Sequence, residues 1–186
     1  RATVRFLSER GARIVGVSDS KGTIYNPKGL DYEELLRVKR ETGAVKNYKD
    51  GKALKTSELF QLPVDILIPA ARPDAITRRN VMDVKARLIV EAANIPITLE
   101  AERILHKRGI MVVPDIVANA GGVITASVEY RGGTEEEAFE KIREKITRNT
   151  KTILDLAVNE GAPPREAAER IARERVLNAM RYRGRL

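Results

Sequence analysis

The sequence has no cysteine, no tryptophan, a single histidine and only 4% aromatic residues. Without cysteine there is no disulfide framework and no thiolate metal site, so the chain reads as cytoplasmic. No apolar run approaches the roughly 20 residues that span a bilayer, and no secretory signal is visible. Lys and Arg number 34 against 26 Asp and Glu, a formal net charge of +8. A nucleic-acid partner would call for bases gathered with aromatics, or for a helix-turn-helix or zinc pattern. Here the bases are interspersed with acids along predicted helices, as from Glu136 to Lys151, which describes a solvated surface. Neither nucleic acid nor membrane is an expected partner. Abundant Lys, Arg and Glu without Cys or Trp also fits a thermophile's composition.

What is present is enough for a globular core: 186 residues, 42% hydrophobic and 32% charged. The first residue, Arg1, already reads as helical, in an amphipathic helix built on Ala2, Val4, Phe6 and Leu7 that ends at Arg10-Gly11. Nothing caps its start, so the expectation is a chain that begins partway through a larger one. The β-branched run Arg13–Asp19 reads as a strand, followed by a turn at Ser20-Lys21-Gly22. Asp31 caps a helix that stops at Gly43, with Leu35, Leu36 and Val38 inward. The stretch Lys46 to Lys52 reads as loop, and Thr56 opens a helical turn. Val64 to Pro69 and Ala86 to Glu91 read as strands, with a helix from Thr77 to Val84 between them. A helix from Thr98 to Lys107 leads to a last strand, Ile110 to Val113. Beyond Gly122 the pattern is all helix, to Tyr130, from Thr134 to Asn159, and from Pro163-Pro164 to Arg183. The lone His106 reads as a helix-end side chain favoured by the dipole.

Apolar strands alternating with helices predict an α/β fold, a doubly wound parallel sheet with helices on both faces and a helical C-terminal extension. Ligands of such sheets sit outside the carboxyl ends of the strands. Four predicted strands end there in Ser18-Asp19, Ala70-Ala71, Ala92-Ala93-Asn94 and Pro114-Asp115 leading to Asn119. Small residues and short amides on one edge suit the close backbone approach of a dinucleotide. Asn119 stands before Gly121-Gly122 at the start of a predicted helix. Unpaired N–H groups and positive dipole charge there suit a polar or anionic ligand. The plainer reading of Asn119 is an N-cap.

These residues resemble the glutamate dehydrogenase family, in the superfamily that includes the leucine and phenylalanine dehydrogenases. The resemblance runs through Val17-Ser18-Asp19-Ser20-Lys21-Gly22, Ile24 to Leu30, Ile68-Pro69-Ala70-Ala71 and Val90-Glu91-Ala92-Ala93-Asn94. It continues through Val113-Pro114-Asp115 to Gly122-Val123 and ends in Glu174 to Met180, covering essentially the whole chain. It implies a Rossmann-like cofactor-binding domain over 1–133, with helices 134–186 packing on it and toward a substrate domain. It also implies that the first strand, a glycine-rich phosphate loop and about 200 residues of substrate domain precede Arg1, an ordinary domain size. The catalytic lysine and aspartate belong to that part, so no catalytic residue is assigned here.

Carried over by position, Asp19 resembles the acid that meets the adenosine ribose. An acid there accepts from both ribose hydroxyls and repels a 2′-phosphate. Ser20 and Lys21 suit that phosphate, so NAD and NADP both stay open. A turn-forming Asp is the plainer reading of Asp19. Ala70 and Ala71 resemble the strand end that packs on the cofactor, and Asn94 and Asn119 the amides around the nicotinamide. Val123 and Ala126 fall on the substrate side of the helix after the glycines. There the family typically places a serine that holds the substrate's distal carboxylate, where this chain has Ala126. Thr125 and Ser127 point about 100° to either side. Losing that hydrogen bond weakens glutamate selection by roughly 1.5–3 kcal/mol.

The implied activity is reversible NAD(P)-dependent oxidative deamination of L-glutamate, by a homo-oligomer, commonly a hexamer. Two alternatives remain. Ala126 favours a leucine-like, branched-chain amino acid dehydrogenase. The absent N-terminal part favours a truncated, inactive nucleotide-binding domain.

Overall fold

The computed structural model describes residues 2–185. The prediction that the chain's first residue is already helical falls on Arg1, outside that range. The chain divides into two compact units. One holds the residues up to Val64 with Asp83–Lys85, the other Asp65–Met82 with everything from Ala86 onward.

In the first unit α1 (Ala2–Glu9) precedes a three-stranded antiparallel sheet of β1 (Gly16–Asp19), β2 (Gly22–Tyr25) and β3 (Lys52–Leu54), in that order. α2 (Tyr32–Thr42) closes its apolar side. It begins because Asp31 accepts the Glu34 N–H at 2.8 Å, and it ends because Gly43 takes a left-handed φ of 72°. Leu35 and Val38 are buried with Ile24, Leu30, Val45 and Tyr48, while Leu36 is only half-buried.

Two expectations are corrected here. The strand ending at Asp19 does not join the parallel sheet. It turns through Ser20-Lys21 and pairs back on β2, Asp19 opposite Gly22. The stretch read as loop up to Lys52 holds a 3₁₀ turn at Val45–Asn47 and runs into β3. Lys52-Ala53-Leu54 has no β-branched residue, so its pairing comes from the neighbouring edge of β2 rather than from propensity.

The second unit is the parallel α/β part. β4 (Ile66–Leu67), β5 (Leu88–Val90) and β6 (Met111–Val113) lie in that order, with Ile66 opposite Leu88 and Ile89 opposite Val112. Leu67, Ile89 and Val112 are buried. α3 (Leu99–Lys107) lies between β5 and β6 in sequence. Then come α4 (Asp115–Ala118), α5 (Gly121–Glu129), α6 (Glu135–Glu160) and α7 (Pro164–Tyr182). The predicted helix from Thr77 to Val84 is instead a turn followed by one 3₁₀ turn, Val81–Asp83. The Asn80 side chain explains this. It accepts the Thr77 N–H at 2.8 Å and donates to the Ala75 carbonyl at 2.9 Å, competing with helix bonds.

The long helices start where their caps dictate. Thr134 and Glu137 form a reciprocal capping box, and Pro164 occupies the first turn of α7. Between α5 and α6, a Cβ on Gly133 would fall 2.4 Å from Val128 Cγ1, so only glycine fits that corner. Ile153 and Ala157 of α6 pack on Ala167 and Ala168 of α7 with Val117 beneath them.

β1 and β4 each carry one hydrogen-bonded neighbour, and Ile66 on β4 is half exposed. Unpaired apolar edges template aggregation. The 186-residue segment expressed alone is therefore expected to aggregate or melt without cooperativity by circular dichroism. A sharp, reversible transition would contradict that.

Candidate functional site

The site forms where the three parallel strands end. The Pro69 carbonyl, just past β4, accepts the N–H groups of both Ala92 and Ala93, at 3.1 and 3.0 Å. This ties Ala70-Ala71 to the segment that carries Asn94. The Glu91 N–H donates to Val113 O at 3.1 Å, joining β5's end to β6's. Ala70 and Ala71 are exposed and leave the strand tips bare.

Asn119 meets Asn94 directly, its Nδ2 donating to Asn94 Oδ1 at 2.7 Å. The N-cap reading of Asn119 is therefore corrected. It closes α4, and α5 starts from Ala120 with no side-chain cap. The pairing leaves Asn94 with a free amide donor and Asn119 with a free carbonyl acceptor. Together they match a primary carboxamide, which needs one of each.

Beside the pair, α5 opens on Gly121 and Gly122. A glycine inside a helix costs about 1 kcal/mol against alanine. Neither glycine has positive φ, a Cβ on Gly122 would meet nothing within 4 Å, and one on Gly121 would make only ordinary contact at 3.8 Å. The described atoms do not demand these glycines, and they leave the backbone at the start of α5 bare. Val123 is 77% exposed on the next position, and Ala126 is exposed one turn on. Of the flanking hydroxyls, that of Thr125 is committed as a donor, while that of Ser127 accepts. Thr125 Oγ1 donates to Gly121 O at 3.0 Å, and Ser127 Oγ accepts from Arg131 Nη2 at 2.9 Å.

Asp19, Ser20 and Lys21 lie in the first unit, on the β1–β2 turn. Asp19 Oδ1 accepts the Lys21 N–H at 2.8 Å. Its Oδ2 accepts from Lys39 Nζ at 2.5 Å and the Val45 N–H at 3.0 Å. Burial works to raise this carboxyl's pKa, and the Lys39 ammonium with the two N–H groups outweighs it, holding it below the ordinary value. The carboxylate thus fastens the turn to the end of α2, with one acceptor direction left on Oδ1.

The residues that sequence reasoning missed lie beneath the amide pair. Arg165, on the first turn of α7, donates from Nη2 to Glu91 Oε2 at 2.7 Å and from Nε to Glu102 Oε2 at 2.7 Å. Its Nη1 donates to Asp115 Oδ1 at 3.0 Å. Glu91, Glu102 and Asp115 are all buried. Glu91 Oε2 also accepts the Asp115 N–H at 2.8 Å, and Asp115 Oδ2 accepts the Ile95 N–H at 2.7 Å. Burial pushes the Glu91 carboxyl up to about 7 and raises that of Glu102. For Asp115 burial is outweighed by the Ile95 N–H and Arg165, which keep it low. Glu91 Oε1 and Glu102 Oε1 have no hydrogen-bond partner among the described residues. One guanidinium faces three buried carboxyls, and burial with their mutual repulsion favours the neutral form of Glu91 and Glu102. The one sequence signal was two acids set between apolar neighbours, in Val90-Glu91-Ala92 and Pro114-Asp115-Ile116; Glu102, between Ala101 and Arg103, gave none. His106 sits at the end of α3 against Gly161 O at 3.2 Å, as its position suggested.

Strand tips of small residues, an amide pair and an uncapped, glycine-led helix define an α/β domain of the ligand-at-the-strand-ends class. The chain matches the Glutamate/Leucine/Phenylalanine/Valine dehydrogenase family over residues 1–184, and it belongs to that family. It is 50% identical to the glutamate dehydrogenase of Aeropyrum pernix, across 97% of this chain and 46% of that protein. It is 44% identical to an NAD-specific glutamate dehydrogenase of Staphylococcus aureus, across 97% of this chain and 45% of that one. With an NADP-specific glutamate dehydrogenase of Saccharolobus shibatae the identity is 42%, across 98% and 45%. Among solved structures, the hetero-hexameric glutamate dehydrogenase of Thermus thermophilus in its Leu-bound form superposes with a TM-score of 0.85 at 30% identity. That match covers 98% of this chain and 44% of the other. The chain thus spans under half the length of the relatives it matches.

A raised Glu91 pKa has a definite sign. The folded state holds a proton that the unfolded state has released, so its stabilisation is complete below pH 4.5 and lost as pH rises through about 7. The slope is at most about 1.4 kcal/mol per pH unit for one proton. In Glu91→Gln, which cannot titrate, chemical denaturation of the full-length protein between pH 4.5 and 8 is expected to lose that decline. An unchanged pH dependence would place the proton elsewhere.

Proposed function

We propose that this chain is the cofactor-binding part of an amino acid dehydrogenase catalysing reversible NAD(P)-dependent oxidative deamination of L-glutamate to 2-oxoglutarate and ammonia. The observation that carries the reading is the Asn94–Asn119 pair, with its spare donor and acceptor beside an open, glycine-led helix start. The family and the glutamate dehydrogenase names of its relatives supply the substrate class. The bound nicotinamide supplies the hydride acceptor.

Within this chain, Asn94 and Asn119 hold the carboxamide and so fix which ring face meets the amino acid. Ala70 and Ala71 give the flat groups close access to backbone. Asp19, Ser20 and Lys21 take the adenosine ribose end. Relatives named NAD-specific and NADP-specific both support a nicotinamide dinucleotide and leave either form admissible. Val123 and Ala126 form one wall of the substrate cleft. The other wall and the proton chemistry belong to a substrate domain outside this chain. Residues 1–133 form the dinucleotide domain and residues 134–186 the helices that pack on it and face that domain. The full protein works in the cytoplasm as a homo-oligomer, a hexamer by family habit.

One observation favours a second reading. Ala126 offers no hydroxyl, that of Thr125 already donates to Gly121 O, and Ser127 points about 100° to one side of it. This suits an aliphatic amino acid such as leucine. Steady-state kinetics of the full-length protein with glutamate and leucine, each with NAD and NADP, separates the two. Glutamate is expected to give the higher kcat/KM. Ala126→Ser is expected to raise the glutamate-to-leucine ratio about tenfold, the worth of one hydrogen bond to a charged group. If neither amino acid reduces either nucleotide, the dehydrogenase assignment fails.

A further inference from the structure

We propose that Arg165 is a positioning residue for the nicotinamide-facing amide pair, acting through Asp115 on both asparagines at once. The inference rests on the dehydrogenase reading above and adds Arg165, from outside the sequence motifs that carry it.

Asp115 is the post to which both asparagines are tied. Its side chain, through Oδ2, accepts the N–H of Ile95, the residue next to Asn94, at 2.7 Å. Its backbone carbonyl accepts the N–H of Asn119 at 3.0 Å. A displacement of Asp115 therefore moves both members of the Asn94–Asn119 pair. Ile95 needs such a hold. Its φ is 48°, a left-handed conformation that a β-branched residue adopts only at a cost of about 1–3 kcal/mol. Its side chain is 59% exposed, so packing does not secure it. The Asp115 carboxylate and the Asp74 N–H, which donates to Ile95 O at 3.0 Å, do.

Asp115 is in turn oriented by Arg165 together with the Ile116 N–H. Both donate to Oδ1, at 3.0 and 2.8 Å, and Oδ2 is thereby aimed at Ile95. Arg165 is itself gripped on its other two faces by Glu91 and Glu102, so its fork is fully specified. The charged groups around it come from every element that meets there: Glu91 after β5, Glu102 on α3, Asp115 on α4, and Glu169 on α7 near Glu102. Docking of α7 rests also on the buried Ala167 and Ala168, so the guanidinium is not alone in holding the helix in place.

Misplacing a reacting ring by about 1 Å costs on the order of a hundredfold in rate, while binding through the distant adenosine end is left alone. The test uses the full-length protein and two variants that keep size or charge, Arg165→Lys and Asp115→Asn. ADP-ribose, the dinucleotide without its nicotinamide, is the binding probe. In both variants kcat with NAD or NADP is expected to fall about tenfold to a hundredfold, with ADP-ribose affinity within a few-fold of wild type. The double variant is expected to be no slower than the slower single one, because both act along one route. Turnover near wild type in either folded variant overturns the proposal, as does ADP-ribose affinity falling in step with turnover. Should Arg165→Lys not fold, Asp115→Asn decides alone. A wild-type protein that binds ADP-ribose yet oxidises no amino acid overturns the dehydrogenase reading instead, and this one with it.

Discussion

A single guanidinium held among three buried carboxylates is the constraint on which the parallel unit depends. Moving charges out of water costs several kcal/mol per ion even after relaxation. The arrangement persists because Arg165 gives each carboxylate a hydrogen bond at 2.7–3.0 Å and because backbone N–H groups satisfy further lone pairs. The result joins the end of β5, the start of α3, the end of β6 and the start of α7. An apolar core could hold those elements together equally well. It could not specify the direction in which a loop carbonyl or amide points. A planar fork with fixed donor directions does that.

Arg165 is in the wrong place for its own helix. A cation in a helix's first turn opposes the dipole, at a cost of about 0.3–1 kcal/mol. Glu102 and Asp115 lie in the first turns of α3 and α4, where the dipole favours acids. The acids thus occupy their preferred ends, and the cation is drawn against its own. Electrostatic attraction to the cluster, not helix propensity, accounts for the arginine at the start of α7. The same logic explains the glycines at α5. They cost helix stability without relieving any clash or unusual φ among the described residues, and what they provide is bare backbone open to close approach.

Helices were legible in the sequence because their ends are written in side-chain chemistry. Asp31 and Gly43 bound α2, Thr98 starts α3, Thr134 with Glu137 starts α6, and Pro164 starts α7. The sheet partition was not legible. A four-residue run such as Gly16–Asp19 is equally compatible with parallel and antiparallel neighbours. Only the tight Ser20-Lys21 turn and the partner β2 decide between them. β3 was invisible for a related reason, since an edge strand borrows its conformation from the strand beside it. Asn80 shows the reverse error, where helix-like periodicity from Thr77 to Val84 was overruled by one amide side chain bonding to the backbone.

The candidate site divides along the same line. Asn94, Asn119 and the alanines stood out because each ends an apolar run, and the structure does bring those strand tips together. That the two asparagines bond to each other, 25 residues apart, is a fact of tertiary geometry that no local pattern carries. The Arg165 cluster is more remote still, with Glu91 lying 74 residues upstream of its partner. Glu91 and Asp115 could be picked out as anomalous among apolar neighbours, Glu102 beside Arg103 could not, and the sequence offers 34 cations as candidates for their counter-ion. Short-range rules thus find the groups that would face a ligand. The groups that aim them come from distant parts of the chain, and their choice is made by burial, because acids in a dry place need a cation brought to the same place.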